Sequence, residues 1–185
     1  NPDLTPMKYD LAKAKAKLSE AGHPNGVTLP LWCRATSVEI LRCEFYQAAL
    51  KAADINVELS TVPSSDWWIS FRSDYKDRTL FGMYWFNPRG DPHQSLQRVF
   101  HSKGGSNRMD YSNAKVDRLI DEAAKIYDIA KAKPMYDRMN TIIAEEDPAM
   151  VFTSNPIGYT LLGANVRNFK WVPDYFPRIR DLWLE

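Results

Sequence analysis

The sequence has no marked excess of charge, no long apolar run and few cysteines. Its 185 residues carry 24 Lys and Arg against 23 Asp and Glu, a formal net charge of +1. This balance gives no reason to expect a nucleic acid or an anionic membrane as a partner. No apolar run approaches the roughly 20 residues of a membrane-spanning helix, and no signal peptide begins the chain. Length and composition fit one globular domain, or one lobe of a larger protein.

Cysteine is limited to Cys33 and Cys43. Their spacing fits neither a metal site nor a disulfide framework. The local patterns place Cys33 near the end of a strand and Cys43 on the next helix. We therefore expect two separate, partly buried thiols rather than a bridge.

The motifs of common catalytic sites are also missing from the sequence. It contains no GxSxG, HExxH, Walker or GxGxxG pattern. Its three histidines, His23, His93 and His101, lie far apart, and Pro92 argues against a shared helical face for the last two. We expect solvated or locally hydrogen-bonded histidines, no metal, no cofactor and no catalytic residues.

Aromatic residues are plentiful, with six Trp, nine Tyr and eight Phe. In the stretch YWFNPRGDPHQSL, residues 84–96, three aromatics run directly into Asn-Pro-Arg-Gly-Asp-Pro, which no regular element can continue. Trp and Tyr form ligand walls as well as cores. This turn is therefore the first place at which a binding site is expected.

The apolar pattern of the first third of the chain alternates helices with strands. It predicts a helix in 9–22, strands over 27–34 and 55–62, and between them a helix capped by Ser37 and running to about Ala53. A strand–helix–strand unit of this length predicts two parallel neighbouring strands. The predicted buried face of that helix consists of Val38, Leu41, Phe45, Ala48 and Ala52.

Further elements are predicted downstream. They are short helices in 64–75 and 95–100, a strand in 78–86, a helix capped by Ser112, a helix from Asp128 to about Glu146, and strands over 149–154 and 157–162. The two longer helices bury Val116, Leu119, Ile120 and Ala123, and Met135, Met139, Ile142 and Ile143, respectively. Pro134 predicts a kink or a nearby helix start. The tail from Val166 is predicted to be mostly irregular.

Five stretches that span nearly the whole chain form a recognisable series: YDLAKAKAKLSEAGHPNG, EFYQAALKAADINVEL, DYSNAKVDRLIDEA, MYDRMNTIIAEEDPAMVF and DLWLE. Taken in this order, they resemble the C-terminal lobe of bacterial solute-binding proteins that serve dipeptide, oligopeptide and nickel ABC transporters. Asp54 stands where that family usually has a glycine.

The resemblance implies an α/β fold, one lobe of the type II periplasmic-binding-protein architecture with a mixed sheet flanked by helices. Residues 1–185 are expected to form a single C-terminal ligand-binding lobe, a fragment of a larger two-lobe protein. The implied function is capture of a peptide, peptide-like, opine or sugar-type solute for an ABC importer, without catalysis. The implied partners are that small solute, the missing N-terminal lobe and a membrane permease. The expected location is periplasmic, or extracellular and lipid-anchored in a Gram-positive bacterium.

The resemblance also implies that the turn at 84–96 lies at the edge of the ligand cleft. In peptide-binding members an aspartate of this loop pairs with the ligand's ammonium group, but here Pro88 stands at that position and neutral Asn87 is adjacent. An amide compensates a buried ammonium poorly. This departure favours an opine or carbohydrate-like solute over a free N-terminus, although peptide is the commonest class. Arg89 suits an anionic group or a sugar hydroxyl.

Other ligand-binding candidates are spread along the chain. Arg34 lies near the position of an arginine that meets the ligand carboxylate in some members, and a surface arginine at a strand end is an equal alternative. For the remaining candidates a structural role is an alternative: Trp32, Trp67 and Trp85 could stack on a solute or belong to the core, and Asp91 could cap the helix that follows Pro92.

Two other functions are open at this point. One is a protein-interaction module that uses an aromatic cleft, and the other is a hydrolase of unrecognised class. The second would require an acid, a base or a nucleophile in a plausible setting, and the sequence offers none.

Overall fold

The computed structural model describes the chain except for residues 68–79 and 172–177 and the single positions 6, 83, 84, 86, 88, 89 and 156. The chain divides into two units. We call Pro6–Tyr84 the sheet unit, and Asn1–Thr5 together with Trp85–Glu185 the helical unit. None of the helices in the described residues is long and apolar enough to cross a membrane. The assignment of residues 1–185 to a single lobe stays a prediction.

The sheet unit alternates helices and strands as the sequence predicts. Asp10 caps the first helix by accepting the backbone N–H of Lys13 at 2.9 Å. Gly22, at φ 90°, follows the end of this helix in a left-handed conformation that glycine adopts without strain. The elements are α1 (Leu11–Glu20), β1 (Val27–Arg34), α2 (Ser37–Lys51), β2 (Ile55–Val62) and β3 (Leu80–Phe81).

The three strands form a parallel sheet in the order β2-β1-β3. Val27 pairs with Ile55 and Arg34 with Val62, so β1 and β2 are aligned over their whole length. This confirms the predicted strand–helix–strand unit. β3 covers part of the strand predicted over 78–86, some of which lies outside the described residues. The helix predicted over 64–75 likewise falls mostly on positions that are not described.

The buried face of α2 differs from the predicted one. Cys43 is buried with Leu31, Cys33 and Val57, and Tyr46 and Leu50 pack against this cluster. The predicted face is exposed instead, with exposed fractions of 59 % for Val38, 65 % for Leu41 and 68 % for Phe45. Periodicity identified an apolar stripe correctly, but α2 has a second, shorter one, and the sheet packs against that.

The expectation of two separate thiols was wrong, because Cys33 and Cys43 form a disulfide. Their placement on a strand end and the next helix was correct. The chain reverses between β1 and α2, which brings the two Cα atoms to 6.4 Å across a sequence separation of 10. That distance lies within the range a disulfide spans. Both residues are 2 % exposed, so the bond lies inside the core of the sheet unit.

Asp54, which stands where the resembled family usually has a glycine, has a backbone conformation that glycine adopts easily. Its φ of 63° lies in the left-handed region, at the turn between α2 and β2. The Asp54 carbonyl accepts the N–H of Val27 at 3.1 Å. A Cβ at Gly26 would lie only 2.5 Å from this carbonyl oxygen, so the close approach requires glycine there. The Asp54 carboxylate pairs with Lys15 at 2.7 Å.

The described residues of the helical unit form three helices, a π-helical turn and a short antiparallel strand pair. Their buried side chains include all the residues predicted to face inward on the two longer helices except Leu119 and Met135, which are half-buried. The elements are α3 (Pro92–Phe100), α4 (Ala114–Ala123), α5 (Ile129–Thr141), a π-helical turn (Ile142–Glu146), β4 (Val166–Arg167) and β5 (Trp183–Leu184).

Two of the predicted helix caps move by one residue. Thr36 rather than Ser37 caps α2, and Asn113 rather than Ser112 caps α4. The Asn113 side-chain oxygen accepts the backbone N–H groups of Lys115 at 3.0 Å and Val116 at 3.2 Å, two donors that no carbonyl of the helix can reach. In each case two residues of capping type stand side by side, Thr36 with Ser37 and Ser112 with Asn113, so the sequence alone allowed either choice.

The junction between α4 and α5 follows the prediction only in part. α4 ends at Ala123, several residues before the predicted junction. Asp128 caps α5 as predicted, and the following π-helical turn reaches the predicted end at Glu146. Pro134 lies inside α5, which begins five residues earlier at Ile129.

The strands predicted over 149–154 and 157–162 were wrong. The described residues of both stretches have no regular structure. Ile157, Tyr159 and Leu161 alternate as in a strand, but they are 76 %, 86 % and 98 % exposed. A strand requires a partner backbone for its hydrogen bonds, and the described part of the chain supplies none here.

Candidate functional site

The carboxyl end of the parallel sheet is the first part of the candidate site. The connection after β1 passes through α2 to β2, whereas β3 lies on the other side of β1. In open parallel sheets, ligands bind beyond the carboxyl ends of the strands at such a point of divergence. Arg34 ends β1, and Gly82 follows β3 and donates its N–H to the carbonyl of Trp32 at 3.5 Å.

Arg34 lies at this edge with its side chain half-buried. Its Nε donates to the hydroxyl of Ser64 at 3.2 Å. The pairing of Arg34 with Val62 explains this contact, because Ser64 comes just after the end of β2. Among the described residues no carboxylate pairs with Arg34. A guanidinium with a neutral partner retains its charge and donors for an anionic group.

Glu39 and Arg42 form an ion pair in the first turns of α2, and the sequence interpretation missed both. Arg42 Nη1 donates to Glu39 Oε1 at 2.8 Å, and both side chains are partly buried. A Cβ at Gly82 would lie 3.9 Å from Glu39 Oε2, so this carboxylate faces the end of β3. The spacing Thr36-x-x-Glu39 is a capping-box pattern that could have drawn attention to Glu39.

Trp32 and Trp67, the other candidates in the sheet unit, have different environments. Trp32 is half-buried, on the opposite face of β1 from the buried residues Leu31 and Cys33. Trp67 is 4 % exposed and donates its backbone N–H to the carbonyl of Pro63 at 3.0 Å. Burial favours a packing role for Trp67, while Trp32 keeps accessible ring surface. Neither ligand role is tested, and both stay predictions.

Trp85 begins the helical unit and is held by two residues of α3. Its indole N–H donates to Ser95 Oγ at 3.1 Å, and the Arg98 guanidinium lies 5.6 Å from the ring centroid. Ser95 and Arg98 are three positions apart on one helix, so they face the same way. No sequence pattern indicates that they meet Trp85, since a turn lies between Trp85 and α3.

Asp91 and Asn87 organise the turn before α3. Asp91 Oδ1 accepts the N–H of His93 at 2.9 Å, which confirms the predicted capping role. Pro92 occupies the first helical position, where its missing N–H has no cost. Asn87 Nδ2 donates to the carbonyl of Asp91 at 2.5 Å, so its amide closes the turn. Arg89, the remaining candidate of this turn, lies outside the described residues.

Polar groups on α3 and α5 surround the same turn. His93 Nδ1 and Gln94 Oε1 are buried atoms with no hydrogen-bond partner among the described residues. Buried polar atoms are normally paired, so each of these two atoms lacks, among the described residues, the partner that such an atom usually has. Burial and, secondarily, the Asp91 carboxylate raise the pKa of the Tyr136 hydroxyl. The sequence predicted His93 to be solvated or locally bonded, and it did not identify Gln94 or Tyr136.

The six candidates that lie within the described residues fall into two groups. Trp32, Arg34 and Trp67 belong to the sheet unit, with Trp32 and Arg34 on one strand. Trp85, Asn87 and Asp91 belong to the helical unit, in the turn before α3.

His101 is buried, and its Nδ1 accepts the N–H of Lys103 at 3.0 Å. The described residues contain no group of three His, Cys, Asp or Glu side chains able to hold a metal ion.

Comparison with known proteins gives consistent similarities. The chain is 27 % identical over 184 residues to heme-binding protein A of Haemophilus influenzae, covering 94 % of this chain and 32 % of that protein. It is 27 % identical over 153 residues to the glutathione-binding protein GsiB of Escherichia coli K12, covering 77 % and 30 % respectively. The chain therefore spans about a third of the length of these relatives.

A solved structure supports the fold, and a sequence family covers more than half of the chain. The structure of HbpA2 from Haemophilus parasuis superposes with a TM-score of 0.85 at 24 % identity, covering 100 % of this chain and 37 % of that one. This likeness places the chain within the α/β periplasmic-binding-protein fold. Residues 1–107 match the family described as bacterial extracellular solute-binding proteins, family 5 Middle. The chain therefore belongs to the family 5 bacterial extracellular solute-binding proteins.

Proposed function

We propose that this chain is a ligand-binding lobe of the solute-binding component of an ABC importer. The protein captures a small solute and delivers it to a membrane permease, without catalysing a reaction. The observation that carries the proposal is Arg34, at the carboxyl end of the central strand. Its guanidinium contacts only a neutral hydroxyl, at 3.2 Å, among the partners identified in the described residues. Membership of family 5 supports the same function.

The solute is proposed to carry at least one carboxylate. The relatives named above are described as binding heme and glutathione, and both compounds contain carboxylate groups. A planar guanidinium binds a carboxylate through two parallel hydrogen bonds. This class includes peptides, peptide-like compounds and opines. A carboxylate-bearing sugar derivative also fits.

Recognition of a free ammonium group is not part of the proposal. Asn87, next to the position where peptide-binding members have an aspartate, is neutral and uses its Nδ2 to close its own turn. Glu39 does supply a carboxylate at the sheet edge, but Arg42 already pairs with it at 2.8 Å.

The remaining part of the longer protein and the permease are proposed as macromolecular partners. Family 5 members are extracellular proteins by description, and a buried disulfide is typical of oxidising compartments. We place the whole protein in the periplasm, or outside the cell on a lipid anchor in a Gram-positive bacterium. The exposed apolar residues at 157–162 supply surface on which another part of the same protein can pack.

The test is a binding experiment on the full-length protein. Calorimetric titrations use glutathione, hemin and the dipeptide Ala-Ala as probes, with wild type, Arg34→Gln and the matched control Arg118→Gln, an exposed arginine of α4. Removing one partner of a charge-assisted pair typically costs about 2 kcal/mol or more, so we expect a loss of affinity of about thirtyfold or more in Arg34→Gln for a solute that binds. The control is expected to bind like wild type.

Two results would contradict the proposal. One is that the full-length protein binds none of the probes and carries no small molecule detectable by native mass spectrometry after purification. The other is that the probes are converted to products on incubation with the protein, which would indicate an enzyme. Equal affinities of wild type and Arg34→Gln would remove Arg34 from the site.

The exposed face of α2 favours a second candidate function, a protein-interaction module. Val38, Leu41 and Phe45 form a contiguous apolar stripe of the kind that marks interaction surfaces. Light scattering of the full-length protein and of this chain separates the two functions. A module that binds protein partners through α2 keeps this stripe accessible at full length, and Phe45→Ser then abolishes its association.

A further inference from the structure

The Cys33–Cys43 disulfide closes a ring of backbone that contains the charged groups at the carboxyl end of the sheet. Arg34 follows the first cysteine directly, and Arg42 precedes the second. Between them lie Thr36, which caps α2, and Glu39, which pairs with Arg42. The bond therefore joins both ends of the segment 34–42 to one point in the core.

Arg34, at the start of this segment, is paired with Val62 in the sheet and donates to Ser64 at 3.2 Å, and the contacts of the rest of the segment are local or few. Ala35 donates its N–H to the carbonyl of Val62 on β2 at 2.8 Å. Thr36 donates to the carbonyl of Arg34 at 2.7 Å, and Glu39 donates to Thr36 Oγ1 at 3.4 Å, both within the segment. Glu39 and Arg42 likewise pair with each other.

Side-chain packing adds little to the anchoring of this segment. Val38 and Leu41 are 59 % and 65 % exposed and Ile40 is half-buried, so none of the large apolar side chains in the first turns of α2 is fully buried in the core. The residues of α2 that do pack against the sheet, Tyr46 and Leu50, come after the ring has closed. Cys43 is the first residue of α2 that is fully buried.

We propose that the Cys33–Cys43 disulfide is a positioning bond for the solute site. Its formation fixes the segment 34–42 and so holds Arg34 and Glu39 at the carboxyl end of the sheet. The part of this proposal that concerns solute binding rests on the proposed function. The part that concerns order in the segment does not.

The chemistry is a two-electron oxidation by thiol–disulfide exchange. One cysteine thiolate attacks the disulfide of an oxidising protein and forms a mixed disulfide, and the second cysteine then displaces the oxidant as a dithiol. The two cysteines give up two electrons and two protons, and the oxidant is reduced. Because both residues are only 2 % exposed in the folded chain, exchange takes place before the sheet unit has packed. The site is therefore completed during folding in an oxidising compartment.

The first experiment determines the redox state. The full-length protein is produced with export to the periplasm and, separately, in a reducing cytoplasm, and both samples are denatured and alkylated before mass spectrometry. The exported protein is expected to take up no alkyl group at Cys33 and Cys43, and the cytoplasmic one to take up two. Free thiols in the folded, exported protein would overturn the proposal.

The second experiment measures hydrogen exchange without any solute. The backbone amides of 34–42 are expected to exchange about tenfold faster or more in Cys33→Ala/Cys43→Val than in the oxidised wild type, while those of α4 are unchanged. Cys33→Ser/Cys43→Ser, which preserves side-chain volume, serves if the first variant fails to fold. Unchanged exchange at 34–42 in a folded variant would overturn the positioning role.

A titration separates this proposal from the proposed function. S-methylglutathione is used, since it has no free thiol to exchange with the disulfide. If exchange at 34–42 rises and the wild type binds no solute, the ordering role stands and the proposed function fails. If the wild type binds and the double variant binds equally well, the solute-binding function stands and the positioning role is refuted.

Discussion

Arg98 lies over the indole ring of Trp85, with its Cζ atom 5.6 Å from the ring centroid. Together with the bond from the indole N–H to Ser95, at 3.1 Å, this contact fixes the ring against α3. One ring face is thus used within the protein. A solute that stacks on Trp85 must use the other face or the ring edge.

The Arg98–Trp85 contact is expected to contribute about 0.5–1 kcal/mol to stability, the usual size for an exposed cation–π pair. A double-mutant cycle with Trp85→Leu and Arg98→Met, followed by urea denaturation, measures this coupling. Arg118→Met, which removes an exposed arginine from α4, is the control for loss of a positive charge. Additive effects of the two mutations would show that the rings and guanidinium do not interact in solution.

Asp91 is expected to act mainly as a helix cap. Asp91→Ala should lower the free energy of unfolding by about 1 kcal/mol, because the N–H of His93 loses its acceptor. Asp91→Asn should be nearly neutral, since asparagine caps equally well. Urea denaturation measures both. If Asp91→Asn destabilises the protein as much as Asp91→Ala, the negative charge rather than the cap is what matters.

Asp54 is expected to respond to substitution according to its backbone angle. At φ 63°, Asp54→Ala should cost about 1 kcal/mol, because a Cβ without a compensating polar group is disfavoured in the left-handed region. Asp54→Gly has no Cβ at this position and should therefore be more stable than Asp54→Ala by about 1 kcal/mol or more. Thermal denaturation at matched salt measures both, with Lys15→Met as the control for the lost ion pair. Equal stabilities of the two variants would contradict the left-handed conformation.

The two stripes of α2 are expected to differ in their contribution to stability. Phe45→Ser and Leu41→Ser should change the unfolding free energy by no more than about 0.5 kcal/mol, as for other surface positions. Leu31→Ala, in the core against α2, should cost about 2–5 kcal/mol. Denaturant titrations of the full-length protein measure the unfolding free energies of wild type and of these three variants. A large loss in Phe45→Ser would mean that the stripe is buried in the whole protein.

Asp117 is expected to make the helical unit sensitive to acid. Burial alone would raise its pKa, but hydrogen bonds from the Ser102 hydroxyl at 2.6 Å and the Ser102 N–H at 2.9 Å lower the pKa, and His101 and Lys103 lower it further. A pKa lowered by folding gives stability that is fully present above the unfolded value. That stability is lost as the pH falls through the lower, folded value.

Asp117→Asn should therefore be less stable than wild type near neutral pH and should lose less stability below about pH 4. Ser102→Ala, which removes one of the two hydrogen bonds, should give an intermediate slope. Chemical denaturation across the acid range provides the measurement, and Glu122→Gln, an exposed residue of α4, is the control. Parallel stability curves for Asp117→Asn and wild type would exclude the effect.

The sequence predicted the sheet unit well because its elements depend on local patterns. Alternating apolar residues define β1 and β2, and the length of the intervening helix requires parallel pairing. Caps such as Asp10, Asp91 and Asp128 are also local, since each accepts a hydrogen bond from a residue two or three positions away. For the same reason an error of one residue was possible where two capping residues stand side by side.

The apolar pattern of the sequence does not predict contacts between residues that are distant along the chain. The sequence placed Cys33 and Cys43 on the right elements but could not tell that the reversal after β1 brings their Cα atoms to 6.4 Å. The partners of the site residues, Ser64 for Arg34 and Arg98 for Trp85, follow from strand register and helix orientation.

The amino-acid sequence by itself determined the order α1, β1, α2, β2 in the sheet unit, the parallel pair and the family, because these follow from spacing and from short similar stretches. Only the tertiary structure decided which stripe of α2 is buried, that the cysteines are joined, and that the described residues of 149–162 form no strand. Each of these three features depends on which other part of the folded protein lies against the segment in question. A chain that carries two apolar stripes on one helix, or strand-like residues without a partner backbone, does not specify that surface locally.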